Sequence, residues 1–391
     1  MQKSSYRIKK LGIFLAFIIT LTSLVSCKQE NVITKNEAEV LSLREAATPS
    51  LASPEVSARA AIGIEMSRGE IFYSKNIDCR LPMASTTKIM TAIVAIENGD
   101  MSDSVKIDKR AVGIEGSSIY LYEGEILTLS DLLYATLLSS ANDAATAVAI
   151  HIGGDIDSFV AMMNEKAVKL GLSDTHFDNP HGLDSENHYT TARELGIITS
   201  HAMKNPKFRE IVSTYKTTVP MQNGEGTRLL INHNKLLRNY DGTIGVKTGY
   251  TKKSGRCLVS ASSRDGVELI CVTLSAPSDW QDHEAILDFG NSIYERKTLI
   301  FRGDSPISIP VINGVLNNAS LFAMNEVNVT VRRGVEIETV IEAPRFVFAP
   351  LSSNQKIGEI IFIQDGKIIA TAPLITQTDV AKLNKRAILG Q

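Results

Sequence analysis

Residues 83–97 are apolar on almost every face and stop at Asn98-Gly99. A helix that is hydrophobic all round has no face to offer to water, so it must lie inside a core and be wrapped by other elements. The Asn-Gly pair predicts a helix end closed by a glycine in the left-handed conformation. Before this helix, Ala61-Ile62-Gly63-Ile64 and Glu70-Ile71-Phe72-Tyr73 flank Ser67-Arg68-Gly69, which reads as a hairpin over residues 60–75. After it, helical periods run over 129–138, 141–152, 156–170 and 191–204, the last opened by Thr191-Ala192-Arg193-Glu194 as a capping box. Strand patterns return over 243–248, 257–262 and 267–274, before a last helix from Asp279 to about Glu295. Strands, a helical block, then strands again describe an α+β domain, an antiparallel sheet with helices inserted in the middle.

Beyond Arg302 the pattern is almost all β, with apolar runs over 307–312, 327–331, 335–341, 357–363 and 367–372 and a tight hairpin at Asp365-Gly366. This predicts a main domain over 57–300, a small all-β domain over 301–376 and a short basic tail over 377–391. With 43% hydrophobic and 21% charged residues, the chain is neither disordered nor collagen-like. A formal charge of −2, without a Lys/Arg block beyond the first ten residues, gives no electrostatic reason to expect a nucleic-acid partner.

The N-terminus differs from the rest. Lys3, Arg7, Lys9 and Lys10 precede an uncharged run over 11–26, too short for a comfortable membrane span, so residues 1–26 read as an export signal. Leu24-Val25-Ser26-Cys27 resembles the bacterial lipobox, which implies a diacylglyceryl group on Cys27. Residues 27–56, rich in Glu, Ser, Ala and Asn with Pro49 and Pro54, then form a flexible tether. The expected location is the outer face of the bacterial cytoplasmic membrane, held there by lipid. With Cys27 modified, Cys79, Cys257 and Cys271 remain, so at most one bridge can form. If Asp265-Gly266 is a two-residue loop, Cys271 pairs opposite Ser260 and Cys257 points to the other face, which favours buried free thiols.

Three short constellations carry chemistry. In Ser85-Thr86-Thr87-Lys88, at the start of the buried helix, a spacing of three puts a hydroxyl and an amine on one face. The helix N-terminus supplies free N–H groups for a developing oxyanion, and a desolvated lysine can act as a base near neutral pH. Ser140-Ala141-Asn142, between two helices, adds a second hydroxyl able to relay a proton and an amide able to bond a substrate carbonyl. Lys247-Thr248-Gly249, on a predicted strand, offers a cation and hydroxyl for a carboxylate and a glycine against which a substrate backbone can lie.

In this order the three motifs are a known signature set. The chain resembles the low-molecular-weight penicillin-binding proteins of the D-alanyl-D-alanine carboxypeptidase family. The likeness runs over about 58–294 and includes residues 84–91, Glu123-Gly124-Glu125 before Leu132-Leu133-Tyr134, residues 140–145, Asn179-Pro180-His181-Gly182-Leu183 and residues 245–251. The C-terminal β region looks like that family's appended domain. The resemblance implies a β-lactamase/DD-peptidase-like fold and an attack by Ser85 on the carbonyl between two terminal D-alanines of a peptidoglycan stem peptide, with β-lactams as inhibitors. It implies that Lys88 takes the serine proton, Ser140 passes a proton to the leaving D-alanine and Asn142 holds the acyl side. Lys247 and Thr248 would bind the terminal carboxylate, with Gly249, Tyr250 and Thr251 continuing the substrate-binding strand. The N–H groups of Ser85 and Tyr250 would form the oxyanion hole, and no metal or cofactor is needed. Two departures are visible: Ala141 stands where many relatives have Gly, and the tail lacks the family's usual amphipathic anchor helix, a role that lipid on Cys27 would take over.

Rival readings are weighed on particular residues. A class A β-lactamase needs a glutamate in the stretch after the second motif, but residues 174–189 contain no E-x-x-L-N pattern. His176, His181 and His188 among Asp174, Asp178 and Asp184 invite a metal, but their spacing fits no zinc pattern and histidines beside turns commonly bond the backbone. An endopeptidase acting on cross-links would use the same nucleophile, and a lipoprotein that binds wall peptides or β-lactams without turnover would carry the same side chains.

Overall fold

The computed structural model describes residues 44–45, 52–221 and 226–384. The expected export segment, Cys27, most of the tether and residues 385–391 of the tail lie outside the described residues.

Five strands form the frame of the first domain: β1 (Ala60–Glu65), β2 (Glu70–Lys75), β3 (Thr243–Thr251), β4 (Gly255–Arg264) and β5 (Val267–Leu274). They pair antiparallel in the order β2-β1-β5-β4-β3, with a two-residue strand, Arg44–Glu45, parallel to β2 at the edge. The first and last hairpins of the domain thus meet at β1 and β5, so everything between β2 and β3 can leave the sheet and return without interrupting it. That excursion holds α1 (Lys88–Asn98), α2 (Leu129–Leu138), α3 (Asn142–Gly153), α4 (Ile156–Lys169), α5 (Ala192–Met203), α6 (Pro206–Ser213) and a single turn, α7 (Leu236–Asn239). After β5, α8 (Asp279–Ile293) covers the other face of the sheet.

Each face of the sheet has its own core. Ile62 and Ile64 of β1 and Ile270 and Val272 of β5 share one buried cluster with Ile89, Met90, Ile93 and Val94 of α1, and α5 lies directly on β1 and β5. Phe72, Leu258, Leu269 and Cys271 pack on the opposite face with Ile286 and Leu287 of α8. Asp265 and Gly266 both take positive φ, 48° and 78°, and Cys271 sits opposite Ser260, as the two-residue loop requires. Cys257 therefore enters the first core and Cys271 the second, both as buried free thiols.

Two local expectations are corrected. Gly99 is not left-handed: it caps α1 in an extended conformation, φ −126° and ψ 164°. A Cβ there would lie 2.5 Å from Ile152 Cδ1 and 2.7 Å from Leu129 Cδ2, so glycine is required by the close approach of α2 and α3. At α5, Thr191 does accept from the Glu194 N–H at 3.1 Å, but the reciprocal half of the capping box is missing. The Glu194 carboxylate instead gathers the N–H groups of Ser173 and Asp174 and the Thr175 hydroxyl, three donors from a neighbouring loop against one. A complete box stands at Thr128 and Asp131 of α2.

The helix expected to reach about Glu295 ends at Ile293, and the chain continues directly into β6 (Tyr294–Ile300). This strand pairs with β9 (Val327–Arg332), while β7 (Ile307–Ile312), β8 (Asn318–Ala323), β10 (Glu338–Glu342), β11 (Val347–Phe348), β12 (Lys356–Gln364) and β13 (Lys367–Thr376) make a sheet of order β10-β12-β13-β8-β7-β11. The described residues of this region form strands and no helix, as the apolar runs and the Asp365-Gly366 turn imply. Among the described residues no helix is long and apolar enough to cross a membrane.

The reading of Gly99 gives a test. Because its backbone is ordinary, Gly99→Ala should cost about 1–3 kcal/mol by overpacking alone, and Gly99→Asn, which would suit a left-handed cap, should cost more. Urea unfolding of the three proteins decides between the two accounts.

Candidate active site

A single 3-10 turn, Ala84–Thr87, precedes α1, and Ala84 takes a left-handed φ of 47°. In that turn residues three apart eclipse, which stacks Lys88 under Ser85 and brings Nζ to 2.9 Å from Oγ. Lys88 is 0% exposed. Its other partners are Asn142 Oδ1 at 2.6 Å and the His181 carbonyl at 2.7 Å. Among the described residues no carboxylate bonds the amine. Burial, then the charge of Lys247, hold its pKa well below the lysine range, against a smaller opposing pull from Asp143. A neutral amine has two N–H groups and one lone pair. Two oxygens that can only accept take the N–H groups, so the lone pair is left for the Ser85 hydroxyl, the arrangement that a nucleophile and its base require.

The second motif sits between α2 and α3. Ser140 has a φ of 59° and lines the cleft together with Ser85. Asn142 opens α3, and while its Oδ1 holds Lys88 its Nδ2 donates to the Glu115 carbonyl at 2.6 Å. Both ends of the amide are thus engaged with the protein, and Asn142 is found positioning the amine, a contact not deduced from the sequence.

The third motif lies on β3. Lys247 is 1% exposed, its Nζ donates to the Thr248 carbonyl at 3.1 Å, and burial pulls its pKa down to about 7. Thr248, Gly249 and Tyr250 line the cleft. Thr251 does not: its hydroxyl bonds Asp184 Oδ1 and Ser254 Oγ, both at 2.9 Å. Two glycines clamp the serine turn between β3 and the 179–183 segment. A Cβ on Gly249 would lie 3.0 Å from the Ser85 nitrogen, and one on Gly182, whose φ is +90°, would lie 1.9 Å from the Ala84 carbonyl oxygen.

The cleft, about 560 Å³, has a further wall that the motifs did not announce, including Tyr215, His233, Lys235, Arg238 and Trp280. The signal for it was Asn232-His233-Asn234. The flanking asparagines are buried, with Asn232 bonding the carbonyls of Val212 and Thr214 and Asn234 that of Gly245, so that His233 between them is presented to the cleft. Burial, with Lys247 and Lys88 nearby, lowers the His233 pKa. The Arg238 guanidinium lies 4.8 Å from the centre of the Tyr215 ring, and Lys235 Nζ 6.0 Å from that of Trp280. Of the three histidines in the 174–189 stretch, His181 gives its backbone carbonyl to Lys88, His188 has both ring nitrogens bonded, and His176 Nδ1 lies 2.8 Å from the Asn187 carbonyl.

A serine stacked on a buried lysine, a second serine lining the same cleft and a lysine-bearing strand across it make one constellation. Residues 46–278 match the family described as D-alanyl-D-alanine carboxypeptidase, peptidase S11, and residues 294–382 match the C-terminal domain of penicillin-binding protein 5. The chain belongs to the D-alanyl-D-alanine carboxypeptidase family. Among curated members it is 32% identical over 336 residues to the Bacillus subtilis carboxypeptidase DacF, covering 83% of this chain and 86% of that one. It is 36% identical over 265 residues to the carboxypeptidase of Streptomyces strain K15, covering 62% of this chain and 91% of that one. Of solved structures, penicillin-binding protein 5 from Haemophilus influenzae superposes with a TM-score of 0.63 at 29% identity, over 85% of this chain and 100% of that one. The chain is accordingly a hydrolase with the DD-peptidase fold followed by the family's all-β domain.

The clamp makes this family member sensitive at two positions to different degrees. Gly182→Ala collides with backbone and forces an unfavourable φ, so peptidase activity on a D-Ala-D-Ala peptide should fall about 100-fold or more. Gly249→Ala needs only a few tenths of an ångström of give and should cost less. Steady-state assays on folded variants, matched by circular dichroism, make the comparison.

Proposed function

We propose that this protein is a serine-type D-alanyl-D-alanine carboxypeptidase that trims peptidoglycan stem peptides through an acyl-enzyme on Ser85 and is inhibited by β-lactams. The observation that carries the reading is Lys88: a fully buried amine with two carbonyl acceptors and its Nζ 2.9 Å from the serine Oγ. As Ser85 Oγ attacks the penultimate carbonyl, Lys88 accepts the hydroxyl proton, and the negative charge forms beside the N–H groups of Ser85 and Tyr250. Ser140 conducts a proton to the departing D-alanine nitrogen. Lys247 and Thr248 hold its carboxylate, with Gly249 and Tyr250 lining the peptide's path. Water then releases the shortened stem. The names of the relatives support the substrate class, and a rigid cation at Lys247 explains why a free carboxylate would be selected.

The deciding assay supplies diacetyl-Lys-D-Ala-D-Ala and measures free D-alanine. Release by the parent, with Ser85→Ala reduced about 10³-fold or more, is the expected result. A folded parent that is labelled by a fluorescent penicillin yet releases nothing would favour the binding lipoprotein, and release only from cross-linked dimers would favour the endopeptidase.

The two lysines also set a pH profile for kcat/KM. The rate rises with pH as Lys88 loses its proton, and it falls as Lys247, pulled down to about 7, loses the charge that binds the carboxylate. Lys247→Arg keeps its charge at all accessible pH, so the alkaline limb should move beyond about pH 9 while the acid limb stays in place.

We further propose that the protein is exported and lipid-anchored through Cys27, a reading supported by the charged segment, the apolar run and the Leu24-Val25-Ser26-Cys27 sequence. Cells fed a radiolabelled fatty acid should label the parent and not Cys27→Ala, and a soluble, unlabelled parent would overturn the proposal.

A further inference from the structure

The peptide unit between Ala84 and Ser85 is a rigid plane, with the Ala84 C=O at one edge and the Ser85 N–H pointing the opposite way from the other. Whatever grips that carbonyl therefore aims that N–H. The carbonyl accepts from the Thr87 hydroxyl at 2.8 Å. Thr87 Oγ1 is in turn 2.7 Å from His188 Nε2. On its far side, His188 Nδ1 lies 3.0 Å from the backbone nitrogen of Asp178.

These contacts have one direction. The Asp178 N–H can only donate, so Nδ1 is the acceptor, and the proton of the neutral ring sits on Nε2. Nε2–H then donates to Thr87 Oγ1, whose own hydrogen is left for the Ala84 carbonyl. His188 is 4% exposed, and burial holds its pKa down to about 4, which keeps the ring in this neutral form. Phe177 meets the imidazole edge-on, 5.8 Å between centres, and fixes its plane. The neighbouring residue shows what the histidine adds. Thr86 makes the same kind of bond back to the Met83 carbonyl, at 2.6 Å, and among the described residues its hydroxyl bonds no second side chain. Only the threonine under the left-handed Ala84 has its rotor locked from outside. Gly182, whose missing Cβ leaves room for the Ala84 oxygen, completes the socket.

We propose that His188 is a positioning residue for the reaction: through Thr87 it sets the peptide plane that aims the Ser85 N–H at the oxyanion. The inference rests on the reading of Ser85 as nucleophile. A donor placed for developing charge acts in the transition state and little on bound substrate, so its misalignment lowers kcat and spares KM.

The test uses His188→Ala, Thr87→Val, their double variant and His188→Gln, with kcat and KM on diacetyl-Lys-D-Ala-D-Ala and the rate of labelling by a fluorescent penicillin. Each single truncation should lower kcat and the labelling rate about 10- to 100-fold, with KM held within about threefold. The double variant should be no worse than the worse single, because the two groups act as one chain. His188→Gln should recover most of the rate, since its carbonyl can accept from Asp178 and its amide can donate to Thr87. Additive losses, a raised KM with kcat intact, or labelling at the parental rate would overturn the relay. If His188→Ala does not fold, Thr87→Val and His188→Gln carry the same test: a parental kcat in Thr87→Val overturns it. A parent not labelled on Ser85 would instead overturn the nucleophile assignment itself.

Discussion

The structure depends on keeping one amine dry. An ammonium ion inside a protein is costly unless a carboxylate or several strong acceptors compensate it, and the usual outcome is loss of the proton. Lys88 is given two carbonyl oxygens and a hydroxyl and, among the described residues, no carboxylate within bonding distance, which is enough to orient a neutral amine. Dryness comes from α1. Its residues are apolar on almost every side, so α2, α3, α4, α5 and α6 all close over it, and the lysine at its first position is sealed by the same packing. Core and chemistry are in this sense a single requirement.

How much of this could be read from the chain follows from the range over which each signal acts. The buried helix, the β4–β5 register with its Cys271 and Ser260 pair, and the three motifs are local patterns, and local physics sets them. Gly99 and Glu194 went differently because partners distant in sequence won: Ile152 and Leu129 set the need for glycine, and the 173–175 loop captured a carboxylate that local geometry would have spent on the helix cap. The His233 wall and the contact of Asn142 with Lys88 escaped for the same reason. Each is created when segments far apart in sequence are laid side by side, and no period in the chain reports it. Thr251, grouped with the substrate strand by the family resemblance, has its hydroxyl bonded to Asp184, another partner distant in sequence.

The second domain is joined to the first by more than the chain that runs from α8 into β6. The turn between β1 and β2 carries Arg68, which bonds Glu70 at 2.6 Å and Gln364 of β12 at 2.7 Å, while the Tyr294 hydroxyl donates to Glu70 at 3.2 Å. Gln364 also accepts from the Arg332 N–H and donates to the Arg332 and Val335 carbonyls. A polar network of this kind stabilises little in total, but it penalises any other docking angle, because sliding one domain leaves several buried groups without partners at once.

The two glycines that clamp the serine turn have a consequence for divergence. With Gly182 against one side of the peptide and Gly249 against the other, a side chain is barred at the first position and crowded at the second. The centre of the site is closed to gradual change, whereas the side chains of Lys235, Arg238 and Tyr250 at its border are exposed. Descendants of this chain that come to prefer other peptides should therefore differ along the border of the cleft, around a centre that stays the same.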